Sequence, residues 1–62
     1  MSDREKEIIL LTCKELTIRE IADKLSLSEN TVRNHRINIM EKLGVGNVIG
    51  LVRHAYESGL IS

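Results

Sequence analysis

The residues best suited to chemistry lie in one stretch, between positions 30 and 37. They follow the i, i+3, i+4, i+7 spacing that puts side chains on one helix face: Asn30, Arg33, Asn34 and Ile37. Arginine can donate two hydrogen bonds to guanine, asparagine can bond adenine in two places, and an aliphatic side chain can contact the thymine methyl group. A merely solvated face would accommodate the polar residues but not Ile37, because water gives isoleucine no stabilisation. We interpret this face as a surface for reading base edges.

A second set of residues is suited to binding backbone phosphates, through cationic groups, hydroxyls or the start of a helix. The set is Arg19, Ser28, Thr31, Arg36 and Lys42. Three of them have an alternative role. Ser28 is a helix cap first, Thr31 can instead bond within the first turn, and Arg36 lies near the core side of the helical wheel, where it can cover a neighbouring helix.

The sequence contains no residue pattern typical of a catalytic or metal-binding site. His35 and His54 are far apart, with no ligand at metal-binding spacing, so no metal or cofactor is expected. Glu5 and Glu20 stand at helix-capping positions rather than as an acid–base pair, and Cys13 is expected to be a small buried hydrophobe. We therefore expect no enzymatic activity.

Composition limits the architecture to one small soluble domain. The chain has 62 residues, 42% of them hydrophobic, but one tyrosine and neither phenylalanine nor tryptophan, so the core must be aliphatic. One cysteine, with no apolar run long enough to span a membrane and no signal-peptide pattern, predicts a cytoplasmic location. We expect residues 1–62 to be one domain of a longer protein.

The charge is unusual for a nucleic-acid binder, because nine basic and nine acidic residues cancel. Its distribution is more informative than its sum. Positions 30–40 contain two arginines and no acid. A locally basic helix can bind phosphates even on a neutral domain, although weakly.

Helical periodicity and capping residues predict an all-α fold of four helices, at about 3–14, 17–25, 28–43 and 47–58. Two capping boxes, each a hydroxyl residue followed three positions later by glutamate, begin at Ser2 and Thr17. Gly44 is placed to end the third helix. A short second helix, a three-residue link and a long third helix, with Ala22 where they cross, form a helix-turn-helix.

The sequence resembles the LuxR-type helix-turn-helix domain of bacterial transcription regulators over nearly its whole length. The matching segments are Arg4-Glu5, Glu20-Ile21-Ala22, Leu25-Ser26-Leu27-Ser28, Thr31-Val32-Arg33-Asn34-His35, Asn38-Ile39, Lys42-Leu43-Gly44-Val45 and Gly59-Leu60-Ile61. The resemblance implies the C-terminal effector domain of a response regulator, binding double-stranded DNA with the third helix in the major groove. It also implies a homodimer through the fourth helix, with RNA polymerase as a further candidate partner.

The sequence departs from this family in several places. Glu15 stands where the family usually has glycine, which predicts a differently built turn between the first two helices. Gly46 and Val48 stand where a basic residue is common, which removes two candidate phosphate contacts. Gly50, inside the fourth helix, costs stability and therefore indicates a close helix approach.

The fourth helix carries more apolar surface than one core face needs. Ile49 and Tyr56 are seven residues apart and share a stripe with Arg53, and Val52 lies beside them. We expect these four residues to form a two-fold dimer interface, so that two recognition helices read an inverted repeat. The alternative is a protein–protein interaction module of the same fold with weakened DNA affinity.

Overall fold

The computed structural model describes residues 2–60, so that Met1, Ile61 and Ser62 of the expected domain lie outside it. The described chain forms four helices: α1 Asp3–Cys13, α2 Ile18–Leu25, α3 Glu29–Leu43 and α4 Val48–Glu57. Each predicted helix boundary agrees within one residue. The predicted all-α helix-turn-helix fold is confirmed.

Local hydrogen bonds explain why the helices begin where they do. At α1 the Ser2 N–H donates to Glu5 Oε1 (3.0 Å) while the Glu5 N–H donates to Ser2 Oγ (3.2 Å). Thr17 and Glu20 repeat the arrangement at α2, with distances of 2.8 and 3.1 Å. Both predicted capping boxes are present, and each satisfies backbone donors that the first turn leaves without a partner.

The core is aliphatic, as the composition requires. It consists of Ile8, Ile9, Leu11, Ile21, Ala22, Val32, Ile39, Leu51 and Ala55. Every helix contributes to it, and α3 contributes Val32 and Ile39, two turns apart on one side. Ala22 of α2 is also buried, which agrees with its predicted position at the helix crossing. Burial of this side of α3 leaves its opposite side to solvent.

The link between α2 and α3 turns the chain within three residues. Ser26 adopts a left-handed conformation (φ 57°, ψ 43°), and the Leu27 N–H donates to the Ala22 carbonyl at 2.9 Å. Leu27 packs against the core, and Ser28 caps α3. This short link holds α3 at a set angle to α2.

The turn between α1 and α2 uses the same device at Glu15. Its φ is +67°, and the Leu16 N–H donates to the Leu11 carbonyl at 3.2 Å. A left-handed backbone is the one that glycine adopts without penalty, whereas a side chain brings Cβ too close to the following carbonyl. The turn therefore keeps a glycine-like geometry and carries strain at a glutamate.

Relief of that strain is measurable. We expect Glu15→Gly to raise the free energy of unfolding by about 0.5–1 kcal/mol. The substitution removes the cost of holding a residue with a Cβ in the left-handed region, and part of this gain is offset because glycine has more conformational entropy in the unfolded state. Lys14→Gly is the matched control, because the φ of Lys14 is −82°. Urea denaturation measures both variants. Equal destabilisation by the two substitutions would contradict strain at Glu15.

Candidate nucleic-acid interface

The four residues predicted to read bases share the solvent-facing side of α3. All of them are exposed: Asn30, Arg33, Asn34 and Ile37. Ile37 is 45% exposed, so an aliphatic side chain lies in solvent between polar neighbours on this face. Val32 and Ile39, on the other side of the helix, are fully buried. The structure thus brings the four predicted residues together on one face.

Within this face, two side chains are hydrogen-bonded to each other. Arg33 Nη1 donates to Asn30 Oδ1 at 3.4 Å. The neighbouring Arg36 is half-buried, and its pKa is lowered first by desolvation and second by the positive charge of Arg33. The N-terminal half of α3 therefore holds two cations close enough to repel each other, a situation that an anion would relieve.

The hydroxyls at the start of α3 are engaged with each other. The Thr31 N–H donates to Ser28 Oγ at 3.1 Å, which confirms Ser28 as a helix cap. The two hydroxyl oxygens lie 2.8 Å apart and share one hydrogen bond. Each hydroxyl has one proton, so one of the two O–H groups remains free to donate to another acceptor.

Arg19 lies in the first turn of α2 and is exposed. The backbone N–H groups at a helix start carry a partial positive charge, which adds to that of a nearby cation. Together they can attract an anion. The capping box uses the N–H groups of Thr17 and Glu20, so an anion at this helix start would be bound by the Arg19 side chain together with the first-turn N–H groups that the box does not use.

Two other predicted phosphate ligands are engaged within the fold. Arg36 lines a groove beside α4, in agreement with the alternative that it covers a neighbouring helix. The Lys42 ammonium donates to Glu5 Oε2 at 2.7 Å and so joins the end of α3 to the start of α1. Sequence reasoning missed this ion pair, because its residues are 37 positions apart and no local pattern connects them.

Glu5 links this ion pair to the cap of α1. It is a buried charged residue, 7% exposed. The Lys42 ammonium first, and the Ser2 N–H second, lower the pKa of Glu5 from 4.5 to about 2. Hydrogen bonds to the ionised carboxylate favour the charged form. One side chain thus ties the orientation of the recognition helix to the first turn of the domain.

The predicted dimer residues lie together on an open groove of about 670 Å³. All four line it: Ile49, Val52, Arg53 and Tyr56. Ile49 is 80% and Tyr56 54% exposed, and the opposite wall comes from the end of α1 and from Arg36 of α3. The described chain therefore leaves an apolar surface on α4 uncovered.

Gly50 is in close contact, but not with another helix. A Cβ at this position would lie 3.3 Å from Val45 Cβ, which belongs to the loop before α4. The expectation of a close approach between helices at Gly50 is therefore wrong. The close contact is between α4 and the segment that leads into it.

Within residues 2–60, no three or more His, Cys, Asp or Glu side chains are grouped as a metal site would require. None of the helices described is long and apolar enough to cross a membrane.

A short α2, a tight left-handed link and a long α3 with an exposed polar face define a helix-turn-helix domain. The family model described as "Bacterial regulatory proteins, luxR family" matches residues 1–55. The chain belongs to this family.

Proteins of similar sequence match nearly the whole of this chain. The uncharacterized response regulatory protein YgeK of Escherichia coli (strain K12) is 43% identical over 60 residues, covering 97% of this chain and 41% of that protein. The transcriptional regulatory protein UhpA of the same strain is 39% identical over 57 residues, covering 92% of this chain and 29% of that protein.

A solved structure agrees with the fold. The crystal structure of the response regulator ChrA, from a heme-sensing two-component system, has a TM-score of 0.91 and 40% identity, covering 97% of this chain and 30% of that one. The chain spans less than half the length of these three proteins. They are named as regulators, in agreement with the expectation that the chain is not an enzyme.

The Glu5–Lys42 pair predicts a specific pH dependence. Because folding lowers the pKa of Glu5, its carboxylate stabilises the fold fully above its unfolded value of 4.5, and this stabilisation is lost as the pH falls through about 2. We expect Glu5→Gln, which keeps the capping oxygen, to remove this part of the acid dependence. Glu7→Gln, at an exposed position of α1, is the control. Urea denaturation at a series of acid pH values measures the difference, and identical pH profiles for Glu5→Gln and the unmodified chain would contradict the pairing.

Proposed function

We propose that this domain binds double-stranded DNA sequence-specifically, with α3 in the major groove, and thereby regulates bacterial transcription. The observation that carries the proposal is the exposed face of α3, where Ile37 lies uncovered among Asn and Arg side chains. An apolar group on a polar helix face gains from burial against a surface that is itself part apolar and part hydrogen-bonding, as a base edge is.

The chemistry of the face supports particular base contacts. Arg33 matches guanine O6 and N7, Asn34 matches adenine N6 and N7, and Ile37 matches a thymine methyl group. Asn30 lies one turn before Asn34 on the same face. Base pairs contacted by these side chains define the specificity, whereas phosphate contacts set the register.

Phosphate binding is proposed for the helix starts that flank this face. Arg19 contributes an exposed cation for which residues 2–60 provide no ion-pair partner, and the Ser28–Thr31 pair contributes the one hydroxyl proton that it does not use internally. Arg36 lines the groove beside α4 and Lys42 is paired with Glu5, so we propose a smaller contribution to phosphate binding from these two residues. Of the three cations proposed as phosphate ligands, Arg36 and Lys42 make other contacts within residues 2–60, so few phosphates are neutralised and affinity should vary little with salt.

The wider role follows from the relatives. Those reported are named as response regulatory and transcriptional regulatory proteins, which supports an effector domain of a two-component response regulator. A cytoplasmic location and RNA polymerase as a further partner belong to the same proposal.

Readout is tested by Arg33→Ala. We expect specific binding to weaken by about 1–3 kcal/mol and the preference at one base pair to relax, because a bidentate contact is lost. Arg19→Ala is the matched control and should weaken binding to all sequences alike. Mobility-shift titration of single-base variants of a selected duplex measures both effects. Unchanged affinity and preference in Arg33→Ala would place the groove-facing side elsewhere.

A two-fold homodimer through α4 is proposed as the binding form. Its support is the exposed stripe of Ile49 and Tyr56 along one wall of an open groove. A patch of this size suits a weak, reversible contact. Pairing the stripe with itself would place two α3 helices about one DNA turn apart, on an inverted repeat.

The assembly is tested by Ile49→Asp. We expect the helical content to remain, since Ile49 is 80% exposed, while cooperative binding to two half-sites is lost. Leu10→Asp, at an exposed apolar position of α1 outside the groove, is the control. Circular dichroism and titration of one-site and two-site duplexes measure the effects. Undiminished cooperativity in Ile49→Asp would place the dimer on another surface.

A protein–protein interaction module is the second candidate, favoured by the neutral charge and the uncovered groove. Mobility shifts against a randomised duplex library distinguish the two, because only the first candidate enriches a sequence.

A further inference from the structure

Arg33 has a neutral partner on its own helix. Its Nη1 donates to Asn30 Oδ1 at 3.4 Å, one turn earlier, and both residues are exposed. The ion pairs found in residues 2–60 are Glu5–Lys42 and Arg53–Glu57, so neither uses Arg33. A neutral amide can restrain a guanidinium while leaving its positive charge available to DNA.

Arg33 is also subject to electrostatic repulsion from Arg36. On the helical wheel Arg33 lies between Asn30 and Arg36, about 60° from each. The charges of Arg33 and Arg36 interact, and that repulsion contributes to the lowered pKa of Arg36. On the helical wheel, the hydrogen bond to Asn30 and the repulsion from Arg36 both favour a position of the Arg33 guanidinium on the Asn30 side.

The hydrogen bond leaves Arg33 able to read guanine. A guanidinium has five N–H donors, and a bidentate contact with guanine uses two. The bond to Asn30 uses one more, so all three contacts can exist together. An arginine restrained before binding also loses less rotamer freedom when it docks.

The same hydrogen bond changes what Asn30 can do. Bidentate recognition of adenine requires the amide oxygen to accept from N6 while the amide NH2 donates to N7. In Asn30 the oxygen faces Arg33, which leaves the NH2 group as the free end. An adenine would then have to share this oxygen with Arg33, so Asn34 is better placed than Asn30 to make the bidentate adenine contact.

We infer that Asn30 is a positioning residue, whose amide oxygen holds the Arg33 guanidinium for a guanine edge, so that each half-site carries one guanine read by the pair. This rests on the proposed function, and it assigns Asn30 and Arg33 to a single base pair rather than to two.

The test is a double-mutant cycle on a duplex selected from a randomised library by the unmodified chain. Affinity and base preference are measured for Asn30→Ala, Arg33→Ala and the double variant, at every position of the half-site. We expect Asn30→Ala to weaken binding by about threefold to tenfold, the net effect of one hydrogen bond. It should relax preference at the same guanine as Arg33→Ala, and it should add nothing in the Arg33→Ala background.

Asn30→Asp separates positioning from a general structural effect. It keeps the acceptor oxygen but adds a negative charge near the phosphates. We expect it to weaken binding to all sequences while retaining the guanine preference that Asn30→Ala loses.

The other outcomes overturn the inference in distinguishable ways. Relaxed preference at a different base pair, with additive effects in the double variant, would make Asn30 a reader in its own right. An effect of Arg33→Ala with none of Asn30→Ala would leave the proposed function standing and remove the positioning role. Selection of no sequence by the unmodified chain, or no effect of Arg33→Ala, would overturn the proposed function and this inference with it.

Discussion

The burial of Val32 and Ile39 sets the rotation of α3 about its own axis, and the remaining features of the candidate interface depend on it. Side chains on a helix are 100° apart, so a rotation by one residue would turn Arg33 into the core and Val32 into solvent. An unpaired buried arginine costs far more than an exposed valine. The core therefore determines which residues of α3 lie on its exposed face.

Two contacts at opposite ends of α3 hold it in this orientation. At its start, the left-handed turn at Ser26 and the cap at Ser28 join it closely to α2. At its end, Lys42 is tied to Glu5 of α1. A small domain with few aromatic side chains has limited core to position a long helix. An ion pair with low exposure on the Glu5 side adds a directional constraint that aliphatic packing does not provide.

Backbone strain lies outside the candidate interface in this fold. The non-glycine residues with a left-handed backbone, Glu15 and Ser26, lie in the turns that precede α2 and α3. The exposed face of α3 is regular helix. A regular helix keeps its side chains at known spacing and so presents a rigid surface. The groove beside α4 is spatially separate from that face, although Arg36 of α3 reaches it. Arg36 therefore connects the groove beside α4 to the helix that carries the exposed face.

Sequence patterns were sufficient to predict the four helices, their capping boxes, the aliphatic core and the composition of the exposed α3 face. Each depends on neighbours within about four residues, a range over which helical periodicity and capping act. Three contacts became visible only in the folded chain: Lys42 pairs with Glu5, Arg36 lines the α4 groove, and Gly50 packs against Val45. These contacts depend on how helices are placed relative to each other, or on how a loop folds back on its helix. Residue types and their spacing along the chain do not specify how close two helices, or a loop and its helix, will lie.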